Sequence, residues 1–496
     1  MAIQNGDLLN SVPAPVQQTL SSNYLDLNSN AGWGQQYVPD LMEKEAEVFG
    51  PRTISGFLAK VGAEESMTAD QVIWSEQGRL HLSYLCDVDA QNVITIQSDI
   101  DGNTPGAFAE AGMTTHGVRL NDTVIVSNAN GVYKCLVTLV NGADITVAPY
   151  DSNNIAALTT NQATTLLVYG SEYAKATGYN NTDDAVSSTR GANEPQFKTF
   201  QNKPIILKDY YEVSGSDTGK IGWVEISVEQ GKSGYLWYLK AEADTRARFT
   251  DYLEMSMLES ELNMDPSAGG GNASGVDDAL YGADGTNSVG TEGLFAAIES
   301  RGNVTTGVSG VNAATDLAEF DAILAEFDKQ GAIEEYMMFV NRGTSLAIDD
   351  MLASMNKMGA GGTSYGVFDN DKDMALNLGF SGFRRGSYDF YKSDMRYLND
   401  KATRGGVNAT AGANAIRGVM IPAGVSTVYD QNMGKNMKRP FLHVRYRASQ
   451  TDNRKMKTWT TGSVGAATSA LDAMQLHFLS ERCLVTQGAN NFMLMK

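Results

Sequence analysis

The spacing of apolar residues changes repeatedly along the chain, and each change marks a different kind of structure. From Asn5 to Gln36 the sequence is polar, is broken by Pro13 and Pro15, and shows no sustained period. Its apolar residues (Leu8, Leu9, Val12, Val16, Leu20, Tyr24, Leu25 and Trp33) are scattered. Such a segment cannot bury enough apolar surface alone to offset its ordering entropy. Residues 1–55 are therefore read as an N-terminal arm that becomes ordered by lying on another surface, such as a neighbouring subunit. Within it a short helix is predicted over Asp40–Phe49, stopped by Gly50 and Pro51.

From about Asp87 to Tyr169 the pattern becomes short β-type runs. The predicted strands are Asn92–Gln97, Thr123–Ser127, Val132–Val140, Asp144–Ala148 and Thr164–Tyr169. Asp101-Gly102, Asn130-Gly131 and Asn141-Gly142 mark turns, because these pairs tolerate the positive φ of tight hairpins. Short strands with tight turns predict a small all-β barrel over 87–169. The flanking runs Gln71–Tyr84 and Phe197–Val213 also read as strand. The simplest arrangement is a long two-stranded loop with the barrel inserted at its tip.

The longest helical pattern follows, over Gly234–Leu262. Tyr235, Tyr238 and Leu239 share one face, and Phe249, Tyr252, Leu253 and Met257 repeat the spacing further along. Glu242 with Arg246, and Asp244 with Arg248, are spaced as i, i+4 pairs on a wetter face. Pro266 and Gly269-Gly270-Gly271 end the helix. Next, Asp316 and Glu319 form a capping pair for a helix with Leu317, Phe320, Leu324 and Phe327 on one face, stopped by Gly331. Tyr336–Val340 is an apolar strand, and Leu346–Met358 a helix with Ile348, Met351, Leu352 and Met355 inward, stopped by Gly359. Strands are then predicted at Tyr388–Tyr391, Gly418–Ile421, Phe441–Arg447 and Met474–Phe478. In Phe441–Arg447 the residues Leu442, Val444 and Tyr446 alternate with His443, Arg445 and Arg447, which predicts a sheet with one wet face. There is no internal repeat, and the class is α+β.

The 496 residues are enough for about three domains and for a core that needs no disulfide or metal. A formal charge of −20 argues against nucleic-acid affinity spread over the whole surface, while leaving room for local basic patches. Cys86, Cys135 and Cys483 are far apart and show no metal-ligand spacing, so they are expected to be reduced and buried, as in a protein made in a cytoplasm. His81, His116, His443 and His477 are likewise scattered. Met1–Leu20 has neither the basic region nor the apolar core of a signal peptide, and no run approaches the length of about 20 residues that crosses a bilayer. A soluble protein not exported by the usual signal, with no membrane partner, is the expectation.

Candidate chemistry is thin. Asp369-Asn370-Asp371-Lys372-Asp373 looks like a calcium loop but lacks the turn glycine and the closing bidentate Glu, so a solvated turn is the expectation. Gly359-Ala360-Gly361-Gly362-Thr363-Ser364 lacks the Lys and the spacing of a phosphate cradle and follows a helix, which predicts a flexible loop. Ser480 is near His477 in sequence, but three-residue spacing on a strand puts them on opposite faces. No G-x-S-x-G is present. Arg384-Arg385, Arg396, Lys435, Lys438 and Arg439 form the most basic stretch. A functional surface, facing nucleic acid or pairing ions between subunits, and ordinary solvated charge are two readings of equal weight. No residue is assigned a catalytic, cofactor-binding or metal-ligating role.

The order polar arm, long β-loop, long helix, α/β unit and closing strands resembles the HK97-like capsid fold of tailed bacteriophages. The resemblance is carried by Ile221–Ser227 before the helix Gly234–Leu262, by Asp316–Asp328 leading into Tyr336-Met337-Met338-Phe339-Val340-Asn341-Arg342, by Tyr365-Gly366-Val367-Phe368 and Ile416–Gly424, and by the tail Leu476–Lys496 with Ser480-Glu481-Arg482-Cys483-Leu484-Val485. It covers Ile54–Lys496 apart from the barrel, and is nearest to the capsid proteins of crAss-like and related short-tailed phages.

The resemblance implies an N-arm over 1–55, an E-loop over 56–86 and 170–230, and the inserted barrel at 87–169. It also implies a spine helix with part of the P-domain over 231–300, a mainly A-domain region over 301–440, and P-domain closing strands over 441–496. It implies a non-enzymatic major capsid protein that assembles with itself into hexamers and pentamers around double-stranded DNA in the virion. It would be built in the host bacterial cytoplasm, with auxiliary or decoration, portal and scaffolding proteins as partners and no cofactor. Some capsids of this fold form Lys–Asn isopeptide crosslinks. Lys203, Lys208 and Lys220 fall in the implied E-loop and Asn490 and Asn491 near the last strand, but they do not match the crosslinking motif and the activity is not carried over. Two other classes stand beside this one. A β-rich head-fibre or adhesin module would explain the barrel but has no need of the α+β half. A hydrolase would need a catalytic constellation.

Overall fold

The computed structural model describes residues 63–77, 81–89, 92–100, 116–158, 163–175, 197–218, 225–227, 233–263, 280, 289–330, 333–357, 381–411, 415–423, 425–430, 435–464 and 468–496. The arm, with its helix at Asp40–Phe49, lies outside them, as do Asp101-Gly102, Lys220, Gly359–Ser364, Tyr365–Phe368 and Asp369–Asp373.

Strand β1 (Ala63–Met67) is followed by β2 (Val72–Gln77). β2 pairs antiparallel with β9 (Phe197–Asn202), from Val72 opposite Asn202 to Gln77 opposite Phe197, and forms a two-stranded ribbon. Between the two ribbon strands lies a closed barrel. Its strands are β3 (Ser83–Val88), β4 (Val93–Asp99), β5 (Asp122–Asn128), β6 (Gly131–Asn141), β7 (Asp144–Pro149) and β8 (Thr164–Ser171), joined in the order β3-β4-β7-β6-β5-β8. Every second residue faces inward. Cys86, Ile94, Ile96, Val124, Val126, Cys135, Val137, Ile145, Val147 and Leu166 fill the interior. Gly142 takes a φ of 63° in the β6–β7 hairpin, the left-handed conformation for which the Asn-Gly pair is suited. Closure removes the free edges of a sheet, and among the described residues no barrel strand pairs with a strand of the body.

Both flanking runs are shorter than the sequence pattern predicts. Gln71–Tyr84 divides into β2 and a sixth barrel strand, β3, whose Tyr84 and Cys86 point into the barrel core. Phe197–Val213 divides into β9 and β10 (Ile205–Ser214) at Lys203-Pro204, because proline has no N–H for the ladder.

The hairpin β11 (Glu225–Ser227) and β12 (Ser233–Tyr235) leads into helix α1, Leu236–Glu259. The helix therefore starts two residues later than predicted and is about 36 Å long at 1.5 Å per residue. Phe249, Leu253, Met257 and Leu258 are buried, whereas Tyr252, at the trailing edge of the apolar arc, is 45% exposed. The predicted face at Tyr235, Tyr238 and Leu239 lies on side chains outside the described ones. Arg246 pairs with Glu242 at 3.4 Å as expected. Arg248 does not pair with Asp244 but reaches Asp209 on β10, 3.3 Å away, because the helix lies across that strand.

The short pair β13 (Leu262–Asn263) and β14 (Val289–Gly290) precedes helix α2 (Leu294–Arg301) and β15 (Asn303–Thr305). Helix α3 (Ala313–Gln330) and helix α4 (Arg342–Lys357) flank β16 (Glu335–Val340). The α3 cap is Asn312, whose Oδ1 accepts from the N–H groups of Ala314 and Thr315 at 3.1 and 3.0 Å. Asp316 and Glu319 instead hold the preceding loop, accepting from Gly310 N at 2.8 Å and Ser309 N at 2.6 Å. The remaining elements are β17 (Ser381–Arg385), β18 (Tyr388–Asp394), helix α5 (Arg404–Ala411), β19 (Gly418–Pro422), the hairpin β20 (Val425–Asp430) and β21 (Lys435–Pro440), β22 (Leu442–Arg447), β23 (Lys457–Gly462), β24 (Ala473–Thr486) and β25 (Met493–Met495).

These strands build two sheets. A mixed six-stranded sheet runs β15-β25-β19-β16-β18-β17. Phe320, Ile323 and Phe327 of α3 and Ile348 and Met351 of α4 pack with Tyr336, Met338, Val340 and Phe390 in one core. Met257, Leu258, Leu294 and Ile298 from the earlier helices pack with Phe339, Val419, Ile421 and Leu494 in another. The second sheet runs β1-β22-β24-β10, with β23 also on β24. Its long strand β24 extends well beyond the predicted Met474–Phe478. His443, predicted to face water, is 1% exposed, so the face of β22 that alternation read as wet is covered at this position.

Candidate interaction surface

In the second sheet the register decides which residues lie on each face: α1 covers one, and the other is open around β10 and β23 but buried toward β22, at Cys483, Val485 and His443. On β24, Leu476 and Phe478 point toward α1, where Phe249 and Leu253 meet them with Leu207 and Met456. The Phe249 and Phe478 ring centres are 5.9 Å apart. Side chains alternate along a strand, so Gln475, His477, Leu479 and Glu481 belong to the other face.

That face is arranged in rows across three strands. Tyr210 of β10 pairs with His477 of β24, which pairs with Trp459 of β23. The rings stack, Tyr210 to His477 at 6.0 Å and Trp459 to His477 at 5.1 Å between centres. The Thr461 hydroxyl is 2.7 Å from His477 Nε2 and orients the imidazole within the stack. One row on, Lys208, Leu479 and Lys457 are neighbours. Lys208, Arg454 and Lys457 ring a shallow depression floored by Leu479 and Trp459. Ile206 and Tyr210 are 50% and 56% exposed beside it.

The cations at the depression differ in their commitments. Glu481, almost fully buried, accepts from Arg447 Nε at 2.6 Å and is also paired with Arg454. Arg447 in turn binds Asp70, tying the segment after β1 to β22 and β24. Lys457 is 2.8 Å from Asp452. Lys208 has no carboxylate partner among the described residues. Beneath the face, Arg482 donates to Ser480 Oγ at 3.0 Å and to the Lys455 carbonyl at 2.9 Å, and burial lowers its pKa.

A second built region is the mount of the ribbon. The Arg301 guanidinium carbon lies 4.5 Å from the Phe200 ring centre and 5.6 Å from that of Trp74, and Nη2 is 2.6 Å from Glu292 Oε2. Glu76 accepts from Trp74 Nε1 at 2.9 Å and from Gly488 N at 2.8 Å. At the ribbon's end Asn202, 1% exposed, donates to the carbonyls of Leu484 and Glu292 and accepts from Glu292 N at 2.9 Å. Burial raises the Glu292 carboxyl despite the opposing charge of Arg301, and Glu76 adds to the rise.

The other sequence candidates are placed as follows. Ser480 is fully buried and donates to the Lys455 carbonyl at 2.7 Å, while His477 lies in the stack on the opposite face. Cys86 and Cys483 are pushed up to about 12, and Cys135 to about 11, by burial, so none is a ready thiolate. No group of His, Cys, Asp and Glu that could hold a metal ion occurs among the described residues. Arg384 pairs with Asp389 at 3.5 Å and Arg385 with Asp321 at 2.6 Å, while Lys435, Lys438 and Arg439 lie on the β20–β21 hairpin. Lys208 sits opposite Leu479 within the sheet, and Asn490 and Asn491 on a single 3₁₀ turn before β25. On the barrel wall Val132, Leu139, Tyr150, Leu167 and Tyr169 are exposed, and Tyr150 donates to Glu172. No helix among the described residues is long and apolar enough to cross a membrane.

The sequence reading missed the aromatic row and the ribbon mount. Their local signals are Lys457–Gly462, where Trp459 stands among threonines, and Trp74 opposite Phe200. What joins them is register between distant strands.

No known protein family and no curated protein matches the chain. Among solved structures it is similar to one from Microbacterium phage Oxtober96, at 9% identity and a TM-score of 0.38, over 93% of this chain and 96% of that one. It is also similar to one from Mycobacterium phage Bobi, at 6% identity and a TM-score of 0.35, over 92% and 94% of the two chains. The capsid structure of the cyanophage P-SCSP1u matches at 8% identity and a TM-score of 0.31, over 65% and 80%. At these scores the likenesses fix neither the fold family nor the role.

Proposed function

We propose that the chain is the major capsid protein of a tailed phage, a subunit of HK97-like design. It would assemble with itself into hexamers and pentamers around double-stranded DNA, and work by geometry without catalysis or a cofactor. The observation that carries this reading is the placement of the ribbon. β2 and β9 leave the body between two strands of one sheet, β1 and β10, and the next long element, α1, packs across that same sheet. A projecting β-loop followed by a helix spanning its base sheet is the E-loop and spine-helix order of the resembled fold. On this reading residues 56–86 and 170–230 are the E-loop and 87–169 the inserted barrel. Residues 231–300 carry the spine helix, 301–440 the A-domain with its six-stranded sheet, and 441–496 the closing strands of the P-domain, with 1–55 as the arm.

A ribbon with a self-contained barrel at its end suits overlap with a neighbour, because the closed barrel adds no free sheet edge to the two outer edges of the ribbon. Repeated weak contacts of this kind add up in a closed shell. Portal, scaffolding and auxiliary proteins would be its further partners, the virion its place, and the host cytoplasm its site of assembly. Deleting residues 1–30 tests the reading. The truncated subunit should stay folded by circular dichroism yet form far fewer particles by light scattering than the full chain. Equal particle yield would contradict the arm's role. The head-fibre or adhesin reading draws on one observation, the exposed Tyr150 and Tyr169 beside Glu172 on the barrel wall, and predicts binding of a host-surface ligand by the barrel instead.

A further inference from the structure

We propose that the open face around Tyr210, His477 and Trp459 is the seat for residues 40–49 of a second copy of this chain. The inference rests on the shell reading only for the source of the partner. The face is unusual for an exposed sheet surface. It has an apolar floor in Leu479 and Trp459, exposed apolar and aromatic side chains in Ile206 and Tyr210, and a cationic rim in Lys208, Arg454 and Lys457. The His477 ring is clamped between Tyr210 and Trp459, so the aromatic surface is already ordered and loses little entropy on binding.

The occupant must therefore combine apolar anchors with negative charge. In a chain whose charge is −20, the Asp40–Phe49 segment fits this description closely. It carries Asp40, Glu43, Glu45 and Glu47 against Lys44 alone, with Leu41, Met42, Val48 and Phe49 as anchors. Lys208 is the rim cation without a carboxylate partner among the described residues, so an incoming carboxylate gains an ion pair there without displacing any described carboxylate. Arg454 and Lys457 already hold Glu481 and Asp452 and would add field more than new bonds. The seat thus selects for an acidic segment and against a basic one.

Photo-crosslinking in the full chain tests this. Ile206→Cys is labelled with a benzophenone maleimide. The three native thiols are buried, so the label goes to position 206. Labelled chains of natural isotope content are mixed with unlabelled ¹⁵N chains, assembled, irradiated and digested for mass spectrometry. The expected product joins position 206 to a ¹⁵N peptide containing residues 40–49. Adding Lys208→Glu should lower its yield about two- to fivefold, the worth of an exposed ion pair. Crosslinks only to other segments, only within one chain, or none, would each overturn the proposal. Electron microscopy of the same samples separates the two readings. Shells without the 206-to-arm product would sink the seat alone. The product in small soluble oligomers, without shells, would sustain the seat and sink the shell reading.

Discussion

Arg301 stacks on Phe200 with its guanidinium carbon 4.5 Å from the ring centre, and this contact fastens the ribbon to the body. The cation belongs to the last turn of α2, and the ring to the ribbon strand β9, whose partner among the described residues is β2. Glu292 holds the guanidinium from the other side at 2.6 Å. A desolvated cation–π contact contributes about 2 kcal/mol. Arg301→Ala should therefore loosen the ribbon locally. Amides of Val72–Gln77 and Phe197–Asn202 should exchange severalfold faster, while those of β24 keep their protection. Unchanged ribbon exchange would show that Asn202 and Glu76 suffice as the mount.

Two neighbouring side chains of α1, Phe249 and Arg246, both reach the Phe478 ring but should respond unequally to truncation. Phe249 is 1% exposed against Phe478, and Phe249→Ala should cost about 3–5 kcal/mol. Arg246 is half exposed, and Arg246→Ala should cost no more than about 1 kcal/mol. Denaturant unfolding of the two variants decides, and a costlier Arg246 variant would contradict the ranking of the two contacts with Phe478.

Residues 81–175, expressed alone, should unfold cooperatively with a β-rich spectrum. The barrel closes on itself and has its own core from Tyr84 to Leu166. A disordered fragment would show that the ribbon and body are needed for closure.

Glu292 gives a pH signature. Burial raises its carboxyl above the ordinary range, so the folded state holds the proton more tightly than the unfolded one. Its contribution to stability is then fully present below the unfolded pKa of about 4.3 and is lost as pH rises through the raised folded value. The difference in unfolding free energy between wild type and Glu292→Gln should accordingly shift in favour of wild type as pH falls from 7 into that window. A pH-independent difference would show that the carboxyl is not perturbed in the folded protein.

Local signals in the sequence were sufficient for five of the six barrel strands and for the three long helices α1, α3 and α4, but not for β3 or for the short helices α2 and α5. Alternation placed Ile94, Val124 and Val137 inside, the Asn141-Gly142 turn formed, and Phe249, Phe320 and Ile348 faced inward at helical spacing. Element ends were less legible. Pro204 splits a run that alternates smoothly on both sides, and Asp316 resembles a cap but holds the loop before Asn312. The open face could not be read at all. Tyr210, His477 and Trp459 meet only because β10 and β23 choose opposite edges of β24, a decision made by long-range register. Arg248 shows the same effect on a smaller scale, leaving a local partner for Asp209 across the packing interface.

The most direct measurement of the central claim is electron microscopy of the purified full-length protein after concentration. A shell subunit predicts closed particles of uniform diameter, or flat arrays of six-fold capsomers. A field of monomers, or of slender trimeric fibres, would contradict it.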